Sequence, residues 1–410
     1  MNNKLRKISD AIIQQTIKSV LPEEAVRKAM AEIQFQPGKI ILVAVGKAAY
    51  AMAKESVNCY DQIDKGIVIT KYQHVKGKLK HIDCYEAGHP VPDQNGYTAT
   101  EKTLEMVQHL KENDNVLFLL SGGGSALFER PKITLRELQY ITEQLLSCGA
   151  DITEINTVRK HLSYVKGGNF AKICYPAHVY SIILSDVIGN PLDTIASGPA
   201  YPDSTTSEEA LKILQKYKIE VSDEAITRIQ EETPKELSNV TTYITGSVKD
   251  LCENAKSICE SMGYETEVLT DCLDTEAKEA GRFLGSIALT HCNEYKKMAF
   301  IAGGETIVHI HGSGKGGRNQ ELALSAADVI KEKKNVAVFS VGSDGTDGPT
   351  DAAGGYVDGY TFDELKNKGI SINEVLMNND SYNALKASNG LIITGPTGTN
   401  VNDLCVILIN

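Results

Sequence analysis

Nothing in the 410-residue sequence approaches the run of about 20 apolar residues that a bilayer-spanning helix requires. Nor is there an excess of positive charge. The 42 Lys and Arg stand against 53 Asp and Glu, for a formal net charge of -11. A domain that grips nucleic acid by its phosphates is usually basic, so nucleic acid is not an expected partner. The absence of a basic amphipathic tail argues in the same way against a membrane surface. Nine Cys are scattered with no CxxC pair and no framework spacing. That pattern points to reduced thiols and a cytoplasmic location. The opening residues, 1–21, are basic but lack a long apolar core and a small-residue cleavage site. They read as an amphipathic helix rather than a secretion signal. There is no clustered Cys/His metal site, no internal repeat and no low-complexity segment.

What is present is a length that favours two domains, with 42% hydrophobic residues to fill their cores. The 34 Gly gather behind short apolar runs. Residues 39–45 lead into Gly46 and Lys47, and residues 115–120 into Ser121-Gly122-Gly123-Gly124-Ser125. Residues 179–184 lead into Ser185 and Asp186, 298–302 into Gly303-Gly304-Glu305, and 335–341 into Gly342-Ser343-Asp344. The runs are continuous rather than alternating, as in parallel strands covered on both faces. Between them lie helical patterns. Thr134 with Glu137 and Thr206 with Glu209 each have the spacing of a capping box, and residues 319–333 form an amphipathic helix. The alternation predicts an α/β protein with doubly wound sheets, whose ligands bind outside the carboxyl ends of the strands. A polar stretch at 231–241 is the expected boundary between two halves.

The candidate chemistry sits in those loops. Lys47 precedes a helix, where its charge and the helix N-terminus both favour an anion, although a solvated loop lysine satisfies the same residue type. Arg159, Lys160 and Lys166 cluster on what reads as one helix, with Arg159 and Lys166 on one face; an ordinary exposed face fits that spacing equally well. Residues 311–321 combine glycines with Lys315 and Arg318. Gly316 follows Lys315, so this is not a Walker A loop. Arg318 opposes the helix dipole at a helix start, a local conflict that hints at function. Asp186, Asp344, Asp347 and Asp351 offer oxygens for Mg²⁺ or for a substrate hydroxyl, without the spacing of an EF-hand. The Ser121–Ser125 loop is not a nucleophile elbow, because Leu127 stands where GxSxG needs glycine. It reads as a backbone cradle for an anion. Residues 312–317 match GxGxxG by count, with a strand–turn–helix context expected. Val338, Phe339 and Ser340 stand where the ribose-binding acid belongs.

At these residues the chain resembles the glycerate 2-kinase family, whose C-terminal part is called the MOFRL domain. The matching stretches are Gly46-Lys47-Ala48-Ala49, His89-Pro90-Val91-Pro92-Asp93, the Ser121–Ser125 loop, residues 156–166, 185–189, Ser197-Gly198-Pro199, Gly303-Gly304-Glu305, 316–321, 342–354 and 395–403. Asn190 departs from the aspartate frequent in that family. The resemblance implies two lobes, each built on a mostly parallel sheet covered by helices, with the active site in the interlobe cleft. They would be a Rossmann-like α/β domain over residues 1–235 and a MOFRL-type α/β domain over 236–410. It implies ATP and Mg²⁺ as cofactors, D-glycerate as acceptor and 2-phosphoglycerate as product; a homodimer is left open. Lys47 and Arg318 are the catalytic residues the resemblance implies, with closure bringing them together; Asp186, or an aspartate of the 344–351 loop, is the further catalytic candidate read from the residues themselves. The implied substrate and ATP contacts are Ser121, Gly122, Gly123, Gly124, Ser125, Arg159, Lys160, Gly304, Glu305, Gly317, Asn319 and Asn400. The implied metal ligands are Asp344, Asp347 and Asp351. Two other readings fit the composition: an NAD(P)H-dependent hydroxypyruvate reductase, and a non-catalytic sensor of small metabolites. Lys47→Ala is expected to lower kcat by about a hundredfold, the usual scale for one preorganised charge. Near-normal turnover in that variant would remove Lys47 from the chemistry.

Overall fold

The computed structural model describes residues 1–185, 189 and 192–410. The expected carboxylate Asp186 and the departure at Asn190 lie outside the described residues. Two compact units are present.

The N-terminal unit holds β1 (Ile40–Val45), β2 (Lys65–Lys71), β3 (Ile82–Ala87), β4 (Asn115–Leu120), β5 (His178–Ile183) and β6 (Val240–Ile244), in the order β3-β2-β1-β4-β5-β6. Every pairing is parallel. β1 and β4 are buried at every residue, which is why their sequences show no alternation. The strand order reverses between β1 and β4. That reversal opens a crevice at their carboxyl ends, where Lys47 and the Ser121–Ser125 loop follow the strands. Four helices (Leu135–Ser147, Ile152–His161, Ser207–Tyr217 and Asp223–Ile229) pack around Ile141, Leu145, Val158 and Ala225. The Thr134 hydroxyl accepts from the Glu137 N–H at the first of them, and Thr206 with Glu209 forms a complete capping box.

The C-terminal unit holds β7 (Glu265–Leu273), β8 (Met298–Gly304), β9 (Val336–Gly342), β10 (Gly354–Asp358), β11 (Leu391–Ile392) and β12 (Asp403–Ile409), in the order β11-β10-β9-β12-β8-β7. Four strands point one way. β12 and β10 are interleaved in the opposite sense, so only β7 and β8 are parallel neighbours. The helices Ala277–His291 and Arg318–Val329 pack on each other and share a core with Phe300, Val338 and Ile407. Gly281 permits that approach, since a Cβ there would lie 2.1 Å from the Leu322 carbonyl oxygen.

The division differs from the one expected at residue 235. β6 pairs with β5, so the first sheet runs on to residue 244. The helix Asn3–Ser19 packs against the helix Val248–Ser261 and β9, and Arg6 donates to the Leu391 carbonyl at 3.0 Å. Residues 1–24 therefore belong to the C-terminal unit.

The helix Arg318–Val329 lacks a side-chain cap from its own N-cap residue, Gly317. Asp347 supplies one from another loop. Its carboxylate accepts from the Asn319 N–H at 3.2 Å, the Gln320 N–H at 2.9 Å and Gln320 Nε2 at 2.9 Å. Gly317 makes room for this, because a Cβ there would stand 2.3 Å from the carboxylate carbon. Burial raises the Asp347 pKa to about 6, against the lowering effect of those amides. The folded protein therefore takes up this proton at higher pH than the unfolded chain does. Stability from this group is fully present below the ordinary carboxylate pKa and fades as pH rises toward 6. Across that window the unfolding free energy of Asp347→Asn is expected to gain about 2 kcal/mol relative to the unsubstituted protein. Denaturant unfolding at a series of pH values measures this, and a pH-independent difference would show that the carboxyl is not displaced.

Candidate active site

The interleaved β12 places an acid where a parallel strand could not. Asp403 opens β12 directly opposite Gly304 and Gly342, the last residues of β8 and β9. All three lie at one edge of the sheet, and Arg318 reaches the same place from its helix N-terminus. Arg318 Nε donates to Asp403 Oδ2 at 2.5 Å, Nη2 to Asp403 Oδ1 at 3.1 Å, and Nη1 to Glu305 Oε1 at 2.7 Å. Asn402 Nδ2 then donates to the second Glu305 oxygen at 3.1 Å. Burial alone would favour loss of the Arg318 proton. Asp403 and Glu305 outweigh it and hold the guanidinium above its ordinary pKa, so it is a fixed, planar cation. Burial raises Asp403, with Arg318 opposing. The charge of Arg318 at an unfavourable helix end is thus explained by a bidentate carboxylate brought from 85 residues away.

Arg318 opens on a cavity of about 550 Å³ lined also by Glu305, Gly317, Glu321, Asp344 and Asn379. Glu305, Gly317 and Arg318 therefore sit together as expected. Other expectations change. Asn319 is buried, accepts from the Ser340 hydroxyl at 2.5 Å and contacts Asp347, so it supports the helix start from inside. Gly304 serves packing, since a Cβ there would meet Leu273 backbone at 2.2 Å. Asn400 is half-buried in the loop before β12. Asp344, Asp347 and Asp351 do not form a metal-holding cluster. Among the described residues no group of three or more His, Cys, Asp or Glu could hold a metal. Asp347 is committed to capping, and Asp351 is hydrogen-bonded to Tyr382. The strand–turn–helix expected around residues 312–317 is absent too. Residues 305–317 form a long connection between β8 and the helix, so GxGxxG here is not a dinucleotide turn.

In the N-terminal unit, the Lys47 N–H donates to the Gly122 carbonyl at 2.9 Å, and the Ala48 N–H donates to Ser121 Oγ at 3.1 Å. The loops after β1 and β4 are therefore joined. Gly123 has φ +86, and a Cβ there would lie 2.9 Å from the His89 ring and 3.3 Å from Lys47 Cγ. The Lys47 ammonium has no hydrogen-bond or ion-pair partner among the described residues and remains available. Burial and the charge of Lys47 both push the His89 pKa down.

Ser125 is a hub of polar contacts. Arg159 Nη1 donates to its hydroxyl at 3.3 Å, which bonds Ser197 Oγ at 2.9 Å, which donates to Asn156 Oδ1 at 3.1 Å. Its carbonyl accepts from Arg159 Nη2 at 3.1 Å and Lys166 Nζ at 2.8 Å. Glu129, itself buried, pairs with both cations at 3.3 Å. The helix carrying Arg159 ends at His161, so Lys166 reaches this cluster from a loop, not along a shared helix face. Burial lowers the Lys166 pKa to about 8, with Glu129 opposing. Lys160 turns elsewhere. It is 2% exposed, and its ammonium donates to Asp203 at 3.1 Å, with Asp193 at 3.6 Å. That buried pair is structural, which removes Lys160 from the contacts expected for substrate.

Sequence reasoning gave no role to Asp403, Glu129 or Ser197, although Asp403 and Ser197 fall in stretches that carry the family resemblance. Asp403 had a signal, a lone acid opening an all-apolar strand. The other two are visible only through their partners.

Comparison with known proteins follows the same lines. Residues 8–230 match the model of a domain of unknown function, DUF4147, and residues 298–403 match the MOFRL family. A protein of Thermotoga maritima named D-glycerate 2-kinase is 53% identical over 99% of this chain and 98% of its own. A crystal structure of glycerate kinase from that organism superposes with a TM-score of 0.96, covering 99% of this chain and 100% of that one. A protein of Agrobacterium vitis, provisionally named hydroxypyruvate reductase, is 38% identical over 99% of this chain and 94% of its own. With one family model spanning more than half of it and full-length likeness to such relatives, the chain belongs to the glycerate 2-kinase family, with an N-terminal DUF4147 domain and a C-terminal MOFRL domain.

Proposed function

We propose that this chain transfers the terminal phosphoryl group of ATP to D-glycerate, at the 2-hydroxyl, giving 2-phosphoglycerate and ADP. The observation that carries the reading is the Arg318 fork. A guanidinium locked between Asp403 and Glu305 stands at the mouth of a cavity of about 550 Å³, large enough for part of a nucleotide. Phosphoryl transfer needs in-line placement and charge neutralisation more than covalent help from the protein. A cation already fixed by two carboxylates needs no reorganisation as charge moves onto the transferred group. In the N-terminal unit, Lys47, with no partner for its ammonium among the described residues, is the cation this reading assigns to the chemistry. Of the two basic residues considered for the glycerate carboxylate, Arg159 remains.

The described residues suit Mg²⁺ only as an ion that ATP largely holds itself. Asp344 lines the cavity and can give one carboxylate, and nucleotide phosphates and water supply the rest in such sites. When bound, the ion spreads the negative charge of the phosphates. In this reading Asp344, whose Oδ1 accepts from the Thr346 N–H at 2.9 Å, would also accept the proton of the attacking hydroxyl. The long 305–317 connection removes residues 312–317 as a dinucleotide turn, the feature that would have favoured a nicotinamide enzyme.

ADP release should be measured with ATP, Mg²⁺ and either D- or L-glycerate, with the product position read by phosphorus NMR. The expected result is turnover with the D isomer and a single 2-phosphate product. No ADP release, together with NADH oxidation on hydroxypyruvate, would overturn the reading in favour of a reductase.

A further inference from the structure

Behind the cavity at Arg318 lies a second one of about 590 Å³, lined by Glu276, Lys278, His309 and His311 among others; Glu321 and Asn379 line both cavities. Between the two runs the stretch of residues 307–311. Its side chains divide between them: Ile307, Val308 and Ile310 line the first cavity, and His309 and His311 line the second. Outside β8 and the following helix, this stretch is anchored at two points. At its start, the Ile307 N–H donates to the Thr275 carbonyl at 3.0 Å, and the Ile307 carbonyl accepts from the Ala277 N–H at 2.9 Å. At its end, the anchor is the Asn379 side chain, and the residues that follow are tied to the same loop, Ser313 N–H to Asn378 Oδ1 at 3.2 Å, Gly314 N–H to the Asn378 carbonyl at 2.9 Å and Lys315 N–H to Asp380 Oδ1 at 2.9 Å.

The Asn379 amide uses its full bonding capacity, two N–H donors and two carbonyl lone pairs. Nδ2 donates to the His309 carbonyl at 3.2 Å and to Glu321 Oε1 at 2.8 Å. Oδ1 accepts from the His311 N–H at 2.8 Å and the Gly312 N–H at 3.0 Å. These partners fix the amide orientation, because a flip would set donors against donors. The backbone of Asn379 is left-handed, φ 53, a conformation Asn adopts readily. Glu321 lies one helical turn from Arg318 on the same helix, and burial raises its pKa. Gly312 and Gly314 lie so close to the 378–380 loop that a Cβ on either would stand 2.4–2.5 Å from its backbone.

We propose that Asn379 is a positioning residue for phosphoryl transfer: it holds residues 307–311 as the wall between the two cavities and ties that wall, through Glu321, to the helix that carries Arg318. The proposal rests on the phosphotransfer reading. Among the described residues Asn379 has no hydrogen bond to Arg318 or Asp403, so in this proposal it shapes the donor cavity without entering the chemical step.

The test compares Asn379→Asp, Asn379→Gly and the double variant Asn379→Asp/Glu321→Gln with the unsubstituted protein. It reads the Kd of ATP by calorimetry and the KM of ATP and kcat by ADP release. Asn379→Asp sets a carboxylate against Glu321 and against the His309 carbonyl. In the double variant, the glutamine that replaces Glu321 can again donate to the side chain at position 379. Asn379→Gly removes the cross-link but suits the left-handed backbone, so it guards against a variant that fails to fold. The expected result is a Kd and KM for ATP raised about tenfold in both single variants, the scale of one or two lost hydrogen bonds. kcat should stay within about threefold, and the double variant should recover much of the loss. Folded single variants with unchanged Kd and KM would overturn the proposal. So would a loss confined to kcat, no recovery in the double variant, or failure of both single variants to fold. If the unsubstituted protein binds ATP but does not turn over glycerate, the phosphotransfer reading fails, and the Kd series still decides whether Asn379 shapes the cavity.

Discussion

The pairing of Arg318 with Asp403 is the constraint on which the C-terminal site depends. It satisfies a carboxylate that burial would otherwise neutralise, and it holds a cation at a helix end where the dipole disfavours one. The pair exists because β12 runs against β8 and β9. In a sheet of parallel strands, the first residue of a central strand lies at the edge opposite the ligand loops. Reversing β12 brings its first residue, Asp403, level with Gly304 and Gly342. Glu305 and Asp344 follow from the ends of the neighbouring strands, and Asp347 caps the helix that presents the arginine.

The N-terminal unit solves a different problem with a similar economy of parts. Its glycine loop must expose backbone at the crevice between β1 and β4, yet it cannot be floppy. Arg159 and Lys166 bind the Ser125 carbonyl from below, with Glu129 buried between them. Three buried charges next to a loop are costly unless each is paired and hydrogen-bonded. Here they are, save for Arg159 Nε, which is buried with no hydrogen-bond partner. The result is a rigid support next to Lys47, whose ammonium has no partner among the described residues.

The α/β class and the helix-covered sheets were legible because continuous apolar runs ending in glycine report strands buried on both faces; the expected parallel pairing holds for β1, β4 and β5, whereas β9 is antiparallel to both neighbours. The five runs read from the sequence became β1, β4, β5, β8 and β9. β12 escaped that rule because it precedes no glycine turn, and its direction is set by sheet pairing rather than by any local pattern. With it went Asp403. Lys160 shows the opposite failure. By residue type and spacing it matched Arg159, but helical geometry sends neighbours roughly 100° apart, and only Arg159 faces Ser125. Asp347 looked like a metal ligand because Asp in a glycine-rich loop suits a cation equally well. Its capping role appears only once Gly317 and Gln320 are beside it.

The central claim is that a geometrically fixed guanidinium, not merely a positive charge, serves at Arg318. Steady-state kinetics of Arg318→Lys tests it most directly, since lysine keeps the charge but cannot span Asp403 and Glu305 together. The account predicts a kcat lower by about a hundredfold, on the scale of losing one preorganised group, in a protein that still unfolds cooperatively. A folded Arg318→Lys enzyme with kcat close to that of the unsubstituted protein would contradict it.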